Sequence, residues 1–312
     1  MNKAIVTGAT GMLGSALCYE LLSQGNQVLA VVRPHSKNME HLPSSPNLQI
    51  VECELNDISR LPTIVTEHDW NILYHLAWSE AFGTGRNNVS VQLANLQAAQ
   101  ACVCAAAEMG CKAFLGAGSQ AEYGRAEGRL NASTPTFPEN AYGIAKLCAG
   151  QLTRVQAHQL GMKHVWVRIL STYGPLDNPK TLVSSALRAY MAGEEPELTP
   201  GEQQWDYLYS ADAARALRLA GEKGVNGAIY PIGSGSARPL KEYILAIRDA
   251  VDATLPSGIG KRRYATGQVM HLEADISALT KDTGFVPQIS FEEGIYNMIE
   301  YQRNHSMRKS GL

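Results

Sequence analysis

The sequence predicts an α/β fold: a doubly wound parallel sheet with a smaller C-terminal lobe. First, a short apolar run at residues 3–7 leads into a glycine-rich turn and then into apolar residues at helical spacing. Second, strand-like and helix-like segments alternate through about the first half of the chain, a pattern typical of parallel sheets covered by helices on both faces. Third, 312 residues exceed what one core usually holds, so a second lobe is expected.

The elements follow the hydrophobic pattern. Strands are predicted near residues 3–7, 28–32, 48–52, 72–76, 112–117 and 164–168, and helices near 12–24, 58–66, 87–110 and 141–160. The segment from Pro34 to Pro46 reads as a polar loop and not as a domain linker.

The alternation changes after Pro175. We therefore predict a main domain over residues 1–172, to which the chain returns near 205–235 with a strand at Ile229–Ile232. Residues 173–204 and 236–312 should form the lobe.

Composition favours a soluble enzyme. The chain is 45% hydrophobic and 18% charged, with a net charge of -2, so no basic excess points to nucleic acid. No apolar run is long enough to cross a membrane and the N-terminus begins with a strand, so a cytoplasmic location is expected. The six cysteines form no C-x-x-C pair and predict neither disulfide nor metal site: Cys18, Cys53, Cys102, Cys104, Cys111 and Cys148.

Three glycines follow the first predicted strand at a spacing of three: Gly8, Gly11 and Gly14. Glycine allows the tight turn and lets backbone N–H groups approach a pyrophosphate at the positive end of the next helix. The turn therefore indicates dinucleotide binding, with a purely structural turn as the alternative.

A phenol and an ammonium lie four residues apart at Tyr142 and Lys146, on one face of a predicted helix. A tyrosine has a pKa near ~10, and a nearby cation favours its anion. We therefore expect Lys146 to bring Tyr142 toward the neutral range, where a phenol can give and take a proton.

These motifs together resemble the extended short-chain dehydrogenase/reductase family of nucleotide-sugar epimerases, dehydratases and reductases. Besides the glycines and the Tyr142/Lys146 pair, Ser119 stands four residues before the Tyr123-Gly124 pair, as in that family. Further matching segments run through most of the chain: Val167–Pro175, Leu272–Asp275, Thr283–Pro287 and Phe291–Gly294. The resemblance implies a Rossmann-type domain and a smaller substrate-binding lobe.

The resemblance also implies roles. Tyr142 would pass a proton to or from the substrate oxygen, Ser119 would bond that oxygen, and Lys146 would hold the nicotinamide ribose. The implied cofactor site comprises Gly8, Thr10, Gly11, Met12, Leu13, Gly14, Arg33, Glu54, Leu55, Leu76, Ala77, Trp78, Asn95, Tyr142, Lys146 and Ile169. Trp78 departs from the family, which usually has a small residue there, so it either packs or narrows the pocket.

Arg33 ends the second predicted strand, where an Asp or Glu would bind the ribose of NAD. A guanidinium suits a 2′-phosphate, and His35 and Lys37 add possible charge nearby, so NADP is the preferred cofactor and NAD stays possible. A solvent-facing arginine is the alternative.

The substrate site implied by the resemblance comprises Gln120, Glu122, Ser171, Trp205 and Arg238. Dehydratases of the family carry Asp-Glu at the positions of Gln120 and Ala121, and the 3,5-epimerase/reductases carry Cys and His at those of Ala121 and Leu176. Their absence leaves an NADPH-dependent 4-ketoreductase of a nucleotide-linked 4-keto-6-deoxysugar, or a nucleotide-sugar 4-epimerase with tightly bound NAD. A non-catalytic NADP-sensing regulatory protein is the third possibility.

Two substrate-site residues depart from expectation. Trp205 replaces the arginine that usually contacts the substrate diphosphate, so Arg188, Arg238 or Arg262 would have to supply the cation. Glu122 either reaches the sugar or is a solvated surface carboxylate.

A homodimer is expected as well. The predicted helices 87–110 and 141–160 are alanine-rich on one face, which favours a four-helix bundle between two subunits. The residues proposed to allow close approach are Ala94, Ala98, Ala101 and Ala105. Burial against the protein's own sheet is the alternative.

Overall fold

The computed structural model describes residues 2–309, with side chains as far as residue 304. The strands are β1 Lys3–Thr7, β2 Gln27–Val32, β3 Leu48–Glu52, β4 Ile72–His75, β5 Ala113–Ser119, β6 Lys163–Ile169, β7 Ser171–Tyr173, β8 Gln204–Trp205, β9 Tyr207–Tyr209, β10 Ile229–Ile232, β11 Arg238–Pro239 and β12 His271–Leu272. The helices are α1 Met12–Ser23, α2 Leu61–Ile64, α3 Val89–Glu108, α4 Ala141–Gln159, α5 Leu182–Met191, α6 Ser210–Lys223, α7 Leu240–Asp252, α8 Ser277–Thr283 and α9 Phe291–Lys309.

Seven parallel strands form the central sheet in the order β3-β2-β1-β4-β5-β6-β10. The predicted doubly wound α/β class is therefore confirmed. The strand order reverses between β1 and β4, where Thr7 pairs with His75. In sheets of this kind ligands bind at the carboxyl ends of the strands beside such a reversal, because the two outgoing loops diverge there.

Apolar side chains cover both faces of the sheet. On one face, Leu17 of α1 and Leu217 of α6 pack against Val6 and its strand neighbours. On the other face, Val103 of α3 packs against Ile5. All strands of the sheet except the edge strand β3 are therefore largely buried, which explains why they read as continuous apolar runs and not as alternating ones.

The helix predicted at 58–66 differs from the structure. A 3-10 helix at Leu55–Arg60 precedes the single turn of α2. Asp57 has non-helical backbone angles (φ −105°, ψ 15°), which interrupts the turn. Pro62 lies at the start of α2 and donates no backbone hydrogen bond, so the preceding residues cannot join it in one regular helix.

The C-terminal part of the chain builds a separate apolar cluster, in which α5, α7 and α9 pack around Tyr243 and Phe291. A small sheet of β11, β8 and β12 adjoins it. The predicted strand at 229–232 is β10, which lies in the central sheet. The division into a main domain and a lobe stays a prediction.

Two further features concern the described residues. None of their helices is both long and apolar enough to cross a bilayer. Their six cysteines are free thiols, four of them buried, with Cys104 and Cys148 partly exposed.

Candidate active site

The glycine turn after β1 is sterically demanding. Gly8 has a φ of +71°, and a Cβ there would lie 2.8 Å from the backbone nitrogen of Ala77 in the loop after β4. A Cβ on Gly14 would lie 2.1 Å from the carbonyl oxygen of Gly8. Gly11 is different, because a Cβ there would meet only that same oxygen at 3.4 Å and otherwise open space. Two glycines therefore close the turn, and the third leaves the backbone accessible.

The start of α1 suits a diphosphate. No side chain caps Gly11, and the first turn holds no acidic residue. The N–H groups of Met12 and Leu13 point out of the helix end without intrahelical acceptors, as all first-turn amides do. Leu76 and Ala77 lie half-buried beside the turn. These residues fit the pyrophosphate of a nicotinamide dinucleotide.

The expected adenosine side of the site lies at the ends of β2 and β3. Arg33 follows β2, is exposed, and forms no ion pair with any described residue. Glu54 is exposed and Leu55 half-buried at the start of the 3-10 helix. This placement is compatible both with an arginine that binds the 2′-phosphate of NADP and with an arginine that only faces solvent.

Two contacts of His41 beside the glycine turn were not predicted from sequence. The imidazole Nδ1 of His41 lies 2.9 Å from the carbonyl oxygen of Thr10, and the Ser15 hydroxyl donates to the His41 carbonyl at 2.5 Å. The loop of residues 34–46 is therefore fastened onto the glycine turn. His41 and Thr10 are about thirty residues apart in the sequence, and hydrophobic periodicity gives no information about contacts over that distance.

Ser119 and Tyr142 come together at the carboxyl end of β5. Ser119 is its last residue and pairs with Ile169 of β6, while its hydroxyl oxygen accepts the N–H of Ala121 at 3.2 Å. Tyr142 lies in the first turn of α4, which Asn140 caps by accepting the N–H of Gly143 at 2.9 Å. A hydrogen bond from Ser119 lowers the pKa of Tyr142, so the two hydroxyls are neighbours.

The electrostatics of Tyr142 differ from the expectation. Burial raises the pKa of the phenol above its ordinary value, against the lowering effects of Ser119 and of the Arg86 guanidinium, and the Glu122 charge raises it further. Lys146 is not among these influences. The expectation that Lys146 brings the phenol toward neutrality is therefore not met, because the ammonium is directed elsewhere.

The Lys146 ammonium is buried and donates to the carbonyl oxygen of Ala117 at 2.5 Å. It lies 3.8 Å from the centre of the Trp78 ring and 5.9 Å from that of Tyr142. Burial lowers the pKa of Lys146 to about 7, although the Glu122 charge opposes this. The lysine thus loses its proton far more readily than a surface lysine does.

Trp78 packs inside the site. Its indole N–H donates to the side-chain oxygen of Gln92 at 2.8 Å, and its ring meets Tyr142 edge-on, with centroids 6.2 Å apart. The ring therefore covers Lys146 and narrows the space beside Tyr142. Asn95 is buried, and its amide bonds both the N–H and the carbonyl of Ser79 at 2.9 Å. Asn95 thus fixes the loop after β4.

Glu122 fits neither of the two interpretations made from sequence. It is fully buried, so it is not a surface carboxylate, and its oxygens are occupied by protein donors rather than facing a substrate. It accepts from the Ser119 N–H at 2.8 Å, from the indole of Trp166 at 3.1 Å and from Nε of Arg168 at 2.8 Å. Sequence reasoning missed this because Arg168 lies 46 residues away, on a neighbouring strand.

The remaining predicted substrate residues lie toward the C-terminal part. The Trp205 indole donates to the Ser171 hydroxyl at 2.8 Å, and Trp205 pairs with Arg238 across β8 and β11. Arg238 donates to Glu292 at 2.7 Å and stacks on Tyr243. Gln120 is half-buried beside Ser119.

Comparison with known proteins identifies the family. The sequence model of the NAD dependent epimerase/dehydratase family matches residues 4–233. The chain belongs to this family. Among its curated relatives, the dTDP-glucose 4,6-dehydratase of Xanthomonas campestris pv. campestris is 26% identical over 326 residues, which cover 96% of this chain and 93% of the relative.

Solved structures share the family fold. The UDP-N-acetylglucosamine 4-epimerase of Methanobrevibacter ruminantium has a TM-score of 0.86 at 22% identity, over 97% of this chain and 99% of that one. The UDP-glucuronic acid 4-epimerase of Bacillus cereus, solved in complex with NAD, has a TM-score of 0.82 at 21% identity, over 97% of this chain and 99% of that one. The resemblance inferred from the motifs is therefore confirmed, and the protein belongs to a family of enzymes that modify nucleotide sugars.

Two charged residues of this family member were not singled out from sequence. Arg86 lies in the 3-10 helix Gly83–Asn87, and its guanidinium carbon is 4.7 Å from the centre of the Tyr142 ring. Arg168 is linked to Ser119 by Glu122, which accepts hydrogen bonds from Nε of Arg168 and from the Ser119 N–H. Neither belongs to a short local motif, so only the folded chain reveals their place.

Proposed function

We propose that the protein is an NADPH-dependent 4-ketoreductase of a nucleotide-linked 4-keto-6-deoxysugar. One observation carries the proposal: Ser119 and Tyr142 are neighbours at the carboxyl end of β5, while the flanking side chains are Gln120 and Ala121. A hydroxyl pair can bind a carbonyl oxygen and protonate it. An amide and a methyl group cannot supply the acid and base that elimination of water requires.

The chain's residues divide the work. The amides at the start of α1 would hold the pyrophosphate of the cofactor, and the cofactor would supply a hydride from its nicotinamide when bound. Ser119 donates to the substrate oxygen and orients it, and Tyr142 gives that oxygen its proton as the carbonyl carbon is reduced. Lys146, released from Ala117, would hold the nicotinamide ribose.

A nucleotide-sugar 4-epimerase with tightly bound NAD is the second candidate. It is supported by the epimerases among the proteins of similar fold. Arg33, which is exposed and forms no ion pair with a described residue, is compatible with NAD as well as with NADP. A non-catalytic sensor of NADP is a third possibility. The neighbouring Ser119 and Tyr142 argue against it, since sensing alone needs no proton donor.

The reductase proposal is tested by offering NADPH with dTDP-, GDP- or CDP-linked 4-keto-6-deoxyhexoses. We expect stoichiometric loss of NADPH absorbance with one of them, because a reductase consumes cofactor in every cycle. Conversion of UDP-glucose or UDP-N-acetylglucosamine to its 4-epimer without added cofactor, and no reduction of any ketosugar, would establish the epimerase instead.

The NADP preference rests on Arg33. We expect the wild-type protein to bind NADPH more tightly than NADH, and Arg33→Ala to weaken NADPH binding by about tenfold or more, because a charge-assisted bond to the 2′-phosphate is lost. NADH binding should stay nearly constant. Calorimetric titration measures both, with Arg154→Ala, an exposed arginine of α4, as control. Equal affinity of the wild-type protein for both cofactors would exclude the preference.

We also propose a homodimer through α3 and α4, with a different contact surface from the predicted one. Ala98 and Ala105 are buried within the protomer, so the alternative of internal packing holds for them. Large apolar side chains are instead exposed on the two helices: Val89, Leu93, Ile144, Leu152 and Val155. An exposed apolar surface of this kind is typical of a subunit interface.

Light scattering tests the assembly. We expect a dimer at micromolar concentration and a monomer for Val155→Lys, because a charge would be desolvated in the interface. Val225→Lys is the matched control, since both valines are exposed, at 48% and 55%, and Val225 lies outside α3 and α4. A monomeric wild-type protein would refute the proposal.

A further inference from the structure

Two cations lie against the Tyr142 ring, and the one nearer to the ring centre is an arginine from another part of the chain. The guanidinium carbon of Arg86 lies 4.7 Å from the centre of the Tyr142 ring, whereas the Lys146 ammonium lies 5.9 Å away. The ammonium is also engaged by the carbonyl of Ala117 and by the face of Trp78. Arg86 is thus better placed than Lys146 to act on charge at Tyr142.

Arg86 is not neutralised by a neighbour. It forms no ion pair or hydrogen bond with the other described residues, and its Nε is buried without a partner. A guanidinium is a permanent cation, and leaving it partly buried without a carboxylate is costly. Such a group stabilises any negative charge that develops nearby.

Its position is fixed by three hydrogen bonds of its own loop. The side-chain oxygen of Asn87 accepts the N–H of Ala141 at 3.2 Å, one residue before Tyr142. The buried Gln92 donates to the carbonyl oxygens of Gly85 at 3.1 Å and Glu80 at 3.4 Å. The loop after β4 therefore holds Arg86 against the start of α4.

We propose that Arg86 is the cation that stabilises the phenolate of Tyr142 after proton transfer. The inference rests on the proposed reduction. In that step hydride adds to the carbonyl carbon of the substrate, the Tyr142 proton moves to the carbonyl oxygen, and the phenolate left behind regains a proton from water. Arg86 does not act on the substrate directly. It is a positioning residue, whose charge acts on the Tyr142 phenolate.

Three charged groups surround this phenol from different elements. Arg86 approaches from the loop after β4, Glu122 lies in the turn after β5, and Lys146 is one turn further along α4. Arg86 lowers the pKa of Tyr142, whereas Glu122 raises it. Removing the Arg86 charge should therefore raise the pKa.

The test follows the phenol itself. The protein is labelled with fluorotyrosine, whose phenol ionises at lower pH, and each resonance is titrated by ¹⁹F NMR, with Tyr142→Phe assigning the signal. For Arg86→Met we expect the Tyr142 midpoint to rise by about one pH unit or more. Arg86→Lys should restore much of it, while Lys146→Met should move it less than Arg86→Met does.

The control is Arg154→Met, which removes an exposed arginine from the same helix α4. Thermal unfolding checks that each variant is folded. An unchanged midpoint in Arg86→Met, or a larger rise in Lys146→Met, would overturn the inference. Because the titration needs no substrate, its outcome is separate from that of the ketosugar assays.

Discussion

Tyr142→Phe is expected to reduce turnover by ~10²–10⁴ while nearly preserving cofactor affinity, because only the proton transfer in the transition state is removed. The phenyl ring would keep its edge contact with Trp78 and its position under Arg86, so the surroundings should not collapse. Steady-state kinetics with the active ketosugar and a separate cofactor titration measure the two effects.

Two variants make this result specific. Tyr19→Phe changes a tyrosine that is exposed on α1, outside the catalytic cluster, and should leave turnover unchanged. Lys146→Met should lower both turnover and cofactor affinity, because the lysine is expected to contact the ribose. Full activity of Tyr142→Phe would remove the tyrosine from the mechanism.

Glu122→Ala is expected to lower the free energy of unfolding by about 3–5 kcal/mol, because removing one partner leaves Arg168 as an uncompensated buried charge. Both side chains of the pair are almost inaccessible, with 1% exposure for Glu122 and 3% for Arg168. The variant also deprives the Ser119 N–H and the Trp166 indole of their acceptor. Urea unfolding gives the measurement.

Glu139→Ala is the matched control. Glu139 pairs with Arg125 at 3.0 Å, but both side chains are exposed, so the loss should be about 0–1 kcal/mol. A Glu122→Ala variant as stable as the control would show that the buried pair adds nothing to the fold.

The sequence predicted the sheet well because most of its strands are buried on both faces and read as plain apolar runs between turns. The short helix near Pro62 was misjudged, since local geometry at Asp57 outweighed the apolar pattern. The small strands of two residues, such as β8 and β12, exist only through pairing between distant segments. Periodicity has no window long enough to detect them.

In the candidate site, too, residues of short motifs could be predicted, whereas contacts between distant segments could not. Ser119, Tyr142 and the glycines belong to short motifs, so the order of residues alone singles them out as candidates for the site. The charged residues that shift the pKa of Tyr142 could not be predicted in this way. Arg86 and Glu122 come close to Tyr142 only in the folded chain and stand at no motif spacing from it. The same holds for Lys146, whose contacts with the carbonyl of Ala117 and the ring of Trp78 join distant parts of the chain.

The loop after β4 joins several parts of the site in eleven residues, from Leu76 to Arg86. Ala77 abuts the glycine turn, Trp78 covers Lys146, and Arg86 overlies Tyr142. An insertion or deletion here would displace cofactor and proton-transfer groups at once. Substitutions that adapt the protein to a new sugar should therefore accumulate in the C-terminal part of the chain. Side chains can vary there without displacing the loop that contacts both the cofactor turn and the proton-transfer residues.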